Sequence, residues 1–563
     1  MSFLKRHATG ATLSFFILAV VGLSAAPVPE WLRPLDDFAK DDPLGAFFAS
    51  VFSRPESVPR PSQGYVAGGG AEAIAEEDQY VDYDTESDPD EAEVELAPRH
   101  DRAVIADGRA TSPDSSVNAQ GSSASSASSA SASTSTSTAV ARRPPWTPPE
   151  RKAYDFWAKR LGLTVPPIVA PCRTASPSPS PSSSPSPAGV SCRQSALDHF
   201  FSRLSEAELG RGEPVRIVHY GDSLIASDKI SDMVRLRLQE RFGSGGKGFL
   251  MIKKFNSFQR GYRTGDGTGG WRLDVITQRV LRDRYFGYSG ASFTAQNAGE
   301  ETVFRRLGRS RIAEVYYLKD RKGGRVEVLA DETVLGEINT RTNAAASEAM
   351  KARFTIPSGT EALTLRATDY GPRLFGVVLE ADQPGVVYES IGLPGATSRV
   401  WNEPDREDFE RQLGLRDPAL VIVMLGGNDG LMLSKERTTT DRIEADLDAF
   451  IGRVQEASAK ADCLLVSPLE AVRKKGSQFI PKPEVLEIIE LERRVAERRG
   501  CAFWDMHAAM GGEGSLAKWV KSDLMLPDLI HPRNRGSNLL GEMMSEAIMD
   551  AYDESRARAG EGS

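Results

Sequence analysis

The chain has 563 residues, a formal net charge of −9 and a pI near 5.5, a balance that argues against a nucleic-acid partner gripped by a basic surface. Hydrophobic residues make up 40% of it, low for a wholly globular chain, so folded sequence is diluted by segments that cannot build a core. Its four cysteines include no C-x-x-C pair and form neither a disulfide scaffold nor a metal cluster, and no cofactor is expected.

Lys5-Arg6-His7 precede an apolar run over residues 11–26, the plan of a secretory signal. Pro27 directly after Ser24-Ala25-Ala26 is a poor partner for signal peptidase, so residues 1–26 read as a signal peptide or an uncleaved membrane anchor. Export is expected, to the periplasm or to a membrane-anchored position facing it or the cell exterior. Residues 27–194 read as a disordered tether: an acidic block, a Ser/Ala/Thr tract, and Ser-Pro repeats from Ser176 to Pro187. A short island, Lys152 to Leu163, has Tyr154, Trp157 and Leu161 at helical spacing and is expected to be a transient helix within the tether. In an oxidising compartment Cys172 and Cys192 could close the Ser-Pro loop.

Globular sequence is expected from Ser195. Leu197, Phe200, Phe201 and Leu204 suit one face of a short helix. An apolar strand, Arg216 to Tyr220, then stops at Gly221-Asp222-Ser223-Leu224. Ile230, Met233, Val234 and Leu238 follow at helical spacing, with Asp228 as a candidate N-cap and Gly243 near the end. Strand, turn with serine, helix is how a parallel α/β sheet begins.

Between residues 255 and 384 the helical period gives way to short alternating runs such as Ile312 to Leu318 and Arg325 to Leu329, separated by turn residues. These predict a β-sandwich inserted into the α/β domain. Gly265 to Gly270 lacks the lysine and context of a phosphate loop and reads as tight turns. Tyr262, Trp271, Tyr285 and Tyr288 are candidates for an exposed aromatic glycan platform, against the commoner role of core residues. From Val386 the α/β pattern resumes to about residue 555. Strands are expected at Val386 to Ile391, Leu420 to Leu425, Cys463 to Val466 and Cys501 to Trp504, and a helix from Pro483 to Arg499 stops at Gly500. Cys463 and Cys501 sit in buried strands and read as small core residues.

All strand C-termini of a parallel sheet share one edge, where ligands bind. Four segments fall there: the Ser223 turn; Gly392-Leu393-Pro394-Gly395; Gly426-Gly427-Asn428-Asp429; and Asp528-Leu529-Ile530-His531 before the last helix. Their chemistry is complementary. Ser223 needs a base, which His531 supplies, and His531 needs an orienting acid, which Asp528 supplies. The backbone N–H groups of Ser223 and Gly395 and the side-chain amide of Asn428 could receive an oxyanion. No His/Cys/Glu spacing suggests a metal.

On these four blocks the chain resembles the SGNH, or GDSL, hydrolases. Gly221-Asp222-Ser223-Leu224 matches the first block, Gly395 the second, Gly426-Gly427-Asn428-Asp429 the third and Asp528-x-x-His531 the last. The resemblance covers about residues 195–254 and 385–555. It implies a three-layer α/β/α flavodoxin-like fold, a Ser223-His531-Asp528 triad and an acyl-enzyme. The inserted β-region and the segment Asp228 to Phe249 further resemble the periplasmic subgroup acting on O-acetylated peptidoglycan, implying an acylated polysaccharide as substrate. A lipase or thioesterase, a polysaccharide O-acetyltransferase and a non-catalytic wall-binding protein remain open at this stage.

Overall fold

The computed structural model describes residues 152–171, 195–255, 259, 263–278, 281–476 and 478–561. The apolar segment 11–26 and the pair Cys172 and Cys192 lie outside these residues, as does Tyr262.

Five parallel strands form the central sheet, in spatial order Val386–Gly392, Val215–Gly221, Leu420–Met424, Asp462–Val466 and Ala502–Trp504. Numbered along the chain, that order is 2-1-3-4-5, the flavodoxin-like arrangement. Both faces are covered, which is why these strands read as near-continuous apolar runs rather than alternating ones. Val218, Tyr220, Val421, Val423 and Leu465 point to one side, where helices Arg406–Arg416, Thr440–Ala457 and Glu484–Arg499 bury Phe409, Phe450 and Ile488. Ile217, Ile422, Leu464 and Trp504 point to the other, against helices Asp198–Glu208, Lys229–Phe242 and Asn534–Glu561. Gly500 ends its helix in the left-handed conformation (φ 65°), as the sequence predicts.

The insertion between the first two strands of this sheet consists of two antiparallel sheets. One has the order Glu348–Thr355, Ile312–Lys319, Arg373–Glu380, Ala291–Ala295 and Trp271–Val275. The other runs Asp266–Gly267, Glu300–Arg305, Ala362–Ala367, Arg325–Ala330 and Thr333–Asn339. Strand Gly246–Leu250 pairs with Arg373–Glu380, so the β-layer starts earlier than the change of hydrophobic period at residue 255 suggests. Gly residues at 246 and 248 hide that strand from an alternation count.

The insertion and the sheet are joined by a buried ionic seam. Arg416 donates from Nε to Glu389 Oε1 (2.6 Å) and from Nη2 to Glu380 Oε1 (2.5 Å), and Arg216 Nε reaches Glu380 at 2.8 Å. Tyr288 of the insertion donates to Glu389 (3.2 Å). Four segments of the fold thus share one charge network, and removing a single partner would leave another charge buried without compensation.

Several sequence expectations need correction. The island at 152–161 is not a transient helix: Leu161 is buried and Tyr154 and Trp157 pack against the same core as helix Asn534–Glu561. Beyond it, Val169 and Phe503 exchange antiparallel backbone hydrogen bonds (2.9 and 2.8 Å), and Trp504 Nε1 donates to Pro166 O (3.0 Å). The stretch 152–171 therefore covers the open edge of the parallel sheet, and the folded body begins well before Ser195. Cys463 and Cys501 are not separate core thiols but a disulfide, their Cα atoms 4.8 Å apart, the first within strand Asp462–Val466 and the second just before its neighbour Ala502–Trp504. Asp228 does occupy the N-cap position, yet its side chain caps nothing; it holds Arg235 (2.8 Å) and Arg263 (3.2 Å). The described aromatics of the insertion take the commoner of their two expected roles. Trp271 and Tyr288 are fully buried and Tyr285 partly so, because they build the core of the insertion.

Candidate active site

Strand Val215–Gly221 delivers Gly221-Asp222 to the C-terminal edge of the sheet, and Ser223 opens a one-turn helix, Ser223–Ala226. Asp222 caps this helix by accepting the Leu224 N–H (2.9 Å). Gly221 and Gly392 are needed for space rather than for unusual dihedrals. A Cβ on Gly221 would lie 2.3 Å from Ile225, and one on Gly392 would lie 1.9 Å from the Ala226 backbone nitrogen. Ser390 adds a hydrogen bond from its hydroxyl to Ile225 O (2.7 Å), fastening the short helix to the neighbouring strand.

The Asp528–His531 loop returns over this turn. Ser223 Oγ lies 2.7 Å from His531 Nε2, and His531 Nδ1 lies 2.7 Å from Asp528 Oδ2. Asp528 Oδ1 accepts the backbone N–H groups of Ile530 (2.9 Å) and His531 (3.0 Å), which folds the four-residue loop back on itself. Leu529 takes a left-handed conformation (φ 62°) to allow this. Burial opposes ionisation of Asp528, but the His531 ring and those two N–H groups outweigh it and hold the carboxyl below its ordinary value. An ionised carboxylate can only accept, so in the neutral ring Nδ1 carries the proton and Nε2 is free to receive one from Ser223.

Asn428 joins the remaining blocks. Its amide nitrogen donates to Asp222 Oδ2 (3.2 Å) and to Ala396 O (3.1 Å), placing it between the residue before Ser223 and the residue after Gly395. Gly395 itself is exposed, in a turn with φ 77° that favours glycine. Gly392, the other glycine of that block, is buried at the strand end, so its role is packing. The structure therefore brings Ser223, His531, Asp528, Asn428 and the Gly395 turn to one edge, at the switch between the first and third strands.

Three acids near the site carry roles that the sequence did not assign. Asp222 caps the serine helix and receives Asn428; burial raises its pKa, with the Leu224 N–H and His531 pulling the other way. Asp429 is buried and accepts the Ser398 N–H. Burial lifts Asp429 to about 6 against the pull of Ser398 and two backbone N–H groups. Glu492 stands beside it, its pKa raised by burial and then by the charges of Asp429 and Asp505. Both aspartates were visible beside the motif residues, but nothing in a linear pattern says which backbone N–H each will meet. His219 and His507 are buried and outside the relay.

Residues 357–539 match the model of the GDSL-like lipase/acylhydrolase family. That stretch contains Gly395, Asn428, Asp528 and His531 but not Ser223, which the β-insertion has separated from them. No curated protein matches the sequence. Among solved structures, a peptidoglycan O-acetylesterase matches with TM-score 0.55 at 19% identity, over 63% of this chain and 96% of that one. An acetylxylan esterase from Geobacillus stearothermophilus matches over 29% of this chain and 72% of that one, at 19% identity and TM-score 0.22. The Bacillus subtilis protein YxiM matches over 54% and 97%, at 13% identity and TM-score 0.25. The family model places a GDSL-like lipase/acylhydrolase region in the C-terminal part of the body, and the first of these structures shares the fold over 63% of the chain.

Proposed function

We propose that the protein is an exported serine esterase that removes O-acetyl groups from a cell-wall or extracellular polysaccharide, peptidoglycan being the first candidate. The observation that carries this reading is the continuous Ser223–His531–Asp528 hydrogen-bond chain, with both contacts at 2.7 Å. Ser223 Oγ attacks the acetyl carbonyl as His531 Nε2 takes its proton. The oxyanion is received by the backbone N–H groups of Ser223 and Gly395 and by the Asn428 amide, which turns from its resting acceptors. Collapse expels the sugar oxygen, which takes the proton from His531. Water then gives a proton to His531 and attacks the acyl-enzyme, releasing acetate and restoring Ser223.

The polysaccharide reading draws on the fold shared with a peptidoglycan O-acetylesterase, insertion included. Export is supported by the signal-like residues 1–26 and, independently, by the Cys463–Cys501 disulfide, a bond that persists in oxidising compartments. The domain reading places the hydrolase at 195–254 and 385–555 and the β-insertion at 255–384, amended to include the strand from Gly246. The test is acetate release from O-acetylated peptidoglycan by the full chain, with Ser223→Ala as control. Turnover of lipid esters or thioesters but not of the acetylated polymer would replace this reading by a lipase or thioesterase. Transfer of acetyl to glycan in preference to water would make it a transferase.

A further inference from the structure

The loop that leaves strand Asp462–Val466 at the catalytic edge rises into a two-stranded hairpin, Val472–Lys475 and Gln478–Pro481. Its register pairs Val472 with Pro481, Arg473 with Ile480, Lys474 with Phe479 and Lys475 with Gln478. Directly opposed residues share a face, and faces alternate along each strand. Val472 is buried and Phe479 packs on the core beneath the sheet. That face anchors the hairpin, which follows a strand end at the catalytic edge. The other face carries Arg473, Lys475, Gln478 and Ile480.

Arg473, Lys474 and Lys475 are all exposed, and none has an ion pair among the described residues. Elsewhere in the same part of the chain exposed arginines are matched: Arg494 with Glu444, Arg498 with Glu444 and Asp448. On a protein with net charge −9, three successive uncompensated cations on the catalytic edge are a local reversal of sign. Beyond the helix that follows the adjacent strand Leu420–Met424, exposed Lys435 and Arg437 also lack ion pairs among the described residues, with Glu436 between them. A cationic rim concentrates an anionic substrate over a site and loses that effect as salt rises.

We infer that this hairpin is a substrate-binding element for carboxylate groups on the polymer, so that the enzyme prefers an acidic acetylated polysaccharide to a neutral one such as acetylated xylan. The inference rests on the proposed esterase reading for its catalytic arm but not for its binding arm. In the catalytic arm, the triple variant Arg473→Gln/Lys474→Gln/Lys475→Gln of the full chain is compared with wild type. The expected result is a KM for O-acetylated peptidoglycan raised about tenfold, with kcat on p-nitrophenyl acetate within about twofold. The decline of wild-type kcat/KM with salt on the acidic polymer should flatten in the variant. An unchanged KM, or an equal loss on acetylated xylan, overturns the inference.

In the binding arm, Ser223→Ala full chain is sedimented with de-O-acetylated peptidoglycan, with xylan and with anionic phospholipid vesicles. Salt-sensitive retention on peptidoglycan that the hairpin substitutions abolish supports the inference. Retention unaffected by those substitutions, or hairpin-dependent retention on vesicles alone, overturns it. If wild type hydrolyses no acetyl ester at all, the esterase reading fails while the binding arm still decides the role of the hairpin.

Discussion

Asp429 holds the backbone N–H of Ser398 between its two carboxylate oxygens, at 3.1 and 3.2 Å. This buried side chain, together with the Asn428–Ala396 hydrogen bond, fixes the turn containing Gly395 to the helix Gly427–Ser434, whose first turn carries Asn428. Two of the three proposed oxyanion donors therefore depend in part on Asp429 for their spacing. Asp429→Ala should lower kcat on a small acetyl ester by about 10–100-fold with KM little changed, since displacing donors by a fraction of an ångström costs transition-state stabilisation rather than binding. Asp429→Asn keeps an acceptor for Ser398 and should restore most of the rate. Equal damage from both substitutions would show that the charge, and not the tether, is what matters.

Gly392 makes a second demand on position. A methyl group there would land 1.9 Å from the Ala226 nitrogen, and the backbone of the serine helix would have to move. Gly392→Ala should reduce kcat at least tenfold and lower the melting temperature, whereas Gly395→Ala, at an exposed turn, should strain φ and reduce kcat with a smaller effect on stability. Thermal melts run beside steady-state kinetics separate the two. Similar stability losses at both positions would contradict the packing role given to Gly392.

The chemistry of the site was more legible in the sequence than its setting. Ser223 and Asn428 sit just beyond strand ends, where the parallel topology brings positions together, and Asp528 and His531 sit in the loop before the last helix. The docked strap at 152–171 was missed because its apolar residues are few and lie between proline-rich stretches. Their partners, the unpaired edge of strand Ala502–Trp504 and the core shared with helix Asn534–Glu561, exist only in the folded body. The Cys463–Cys501 bond was missed because two cysteines 38 positions apart do not announce that their strands are neighbours. Trp271 and Tyr288 were left between core and platform for a related reason: in short strands, alternation does not say which face meets the second sheet.

His219 sets an acid limit on the fold. Its Nδ1 meets the Tyr388 hydroxyl at 2.7 Å and its Nε2 has no partner among the described residues. Burial drives its pKa down to about 3, only partly offset by the charge of Asp228. The folded protein keeps this ring neutral while the unfolded chain protonates near 6.5. Stability is therefore full above 6.5 and falls as pH drops toward 3, by about 3 kcal/mol between pH 7 and pH 4. Asp408, lifted to about 7 by burial, and Asp429, lifted to about 6, act in the opposite sense, their contribution being lost as pH rises. The measurement is accordingly a difference. Denaturant unfolding of wild type and His219→Gln at pH 7 and pH 4 should show the variant gaining about 3 kcal/mol relative to wild type at the lower pH. Parallel pH profiles would rule out His219 as the source.

The strap at 152–171 ties the tether to the chemistry. Strand Ala502–Trp504 is the last of the sheet, and the loop carrying Asp528 and His531 follows it in the chain. Without the strap that strand would present unpaired backbone groups, Trp504 Nε1 would lose its acceptor on Pro166, and the apolar surface under Trp157, Leu161 and Ile168 would be uncovered. Burial of that surface contributes on the order of 3–5 kcal/mol, so a fragment starting at residue 195 should melt about 5 °C or more below one starting at residue 152. The loss should begin locally. Esterase activity of the shorter fragment is expected to fade at temperatures where most of its circular dichroism signal survives, because the chain leaving the stripped strand runs on through helices Met506–Ala509 and Leu516–Lys521 to the loop holding His531 over Ser223. Coincident loss of activity and secondary structure would mean instead that the strap stabilises the body as a whole and has no particular hold on the site.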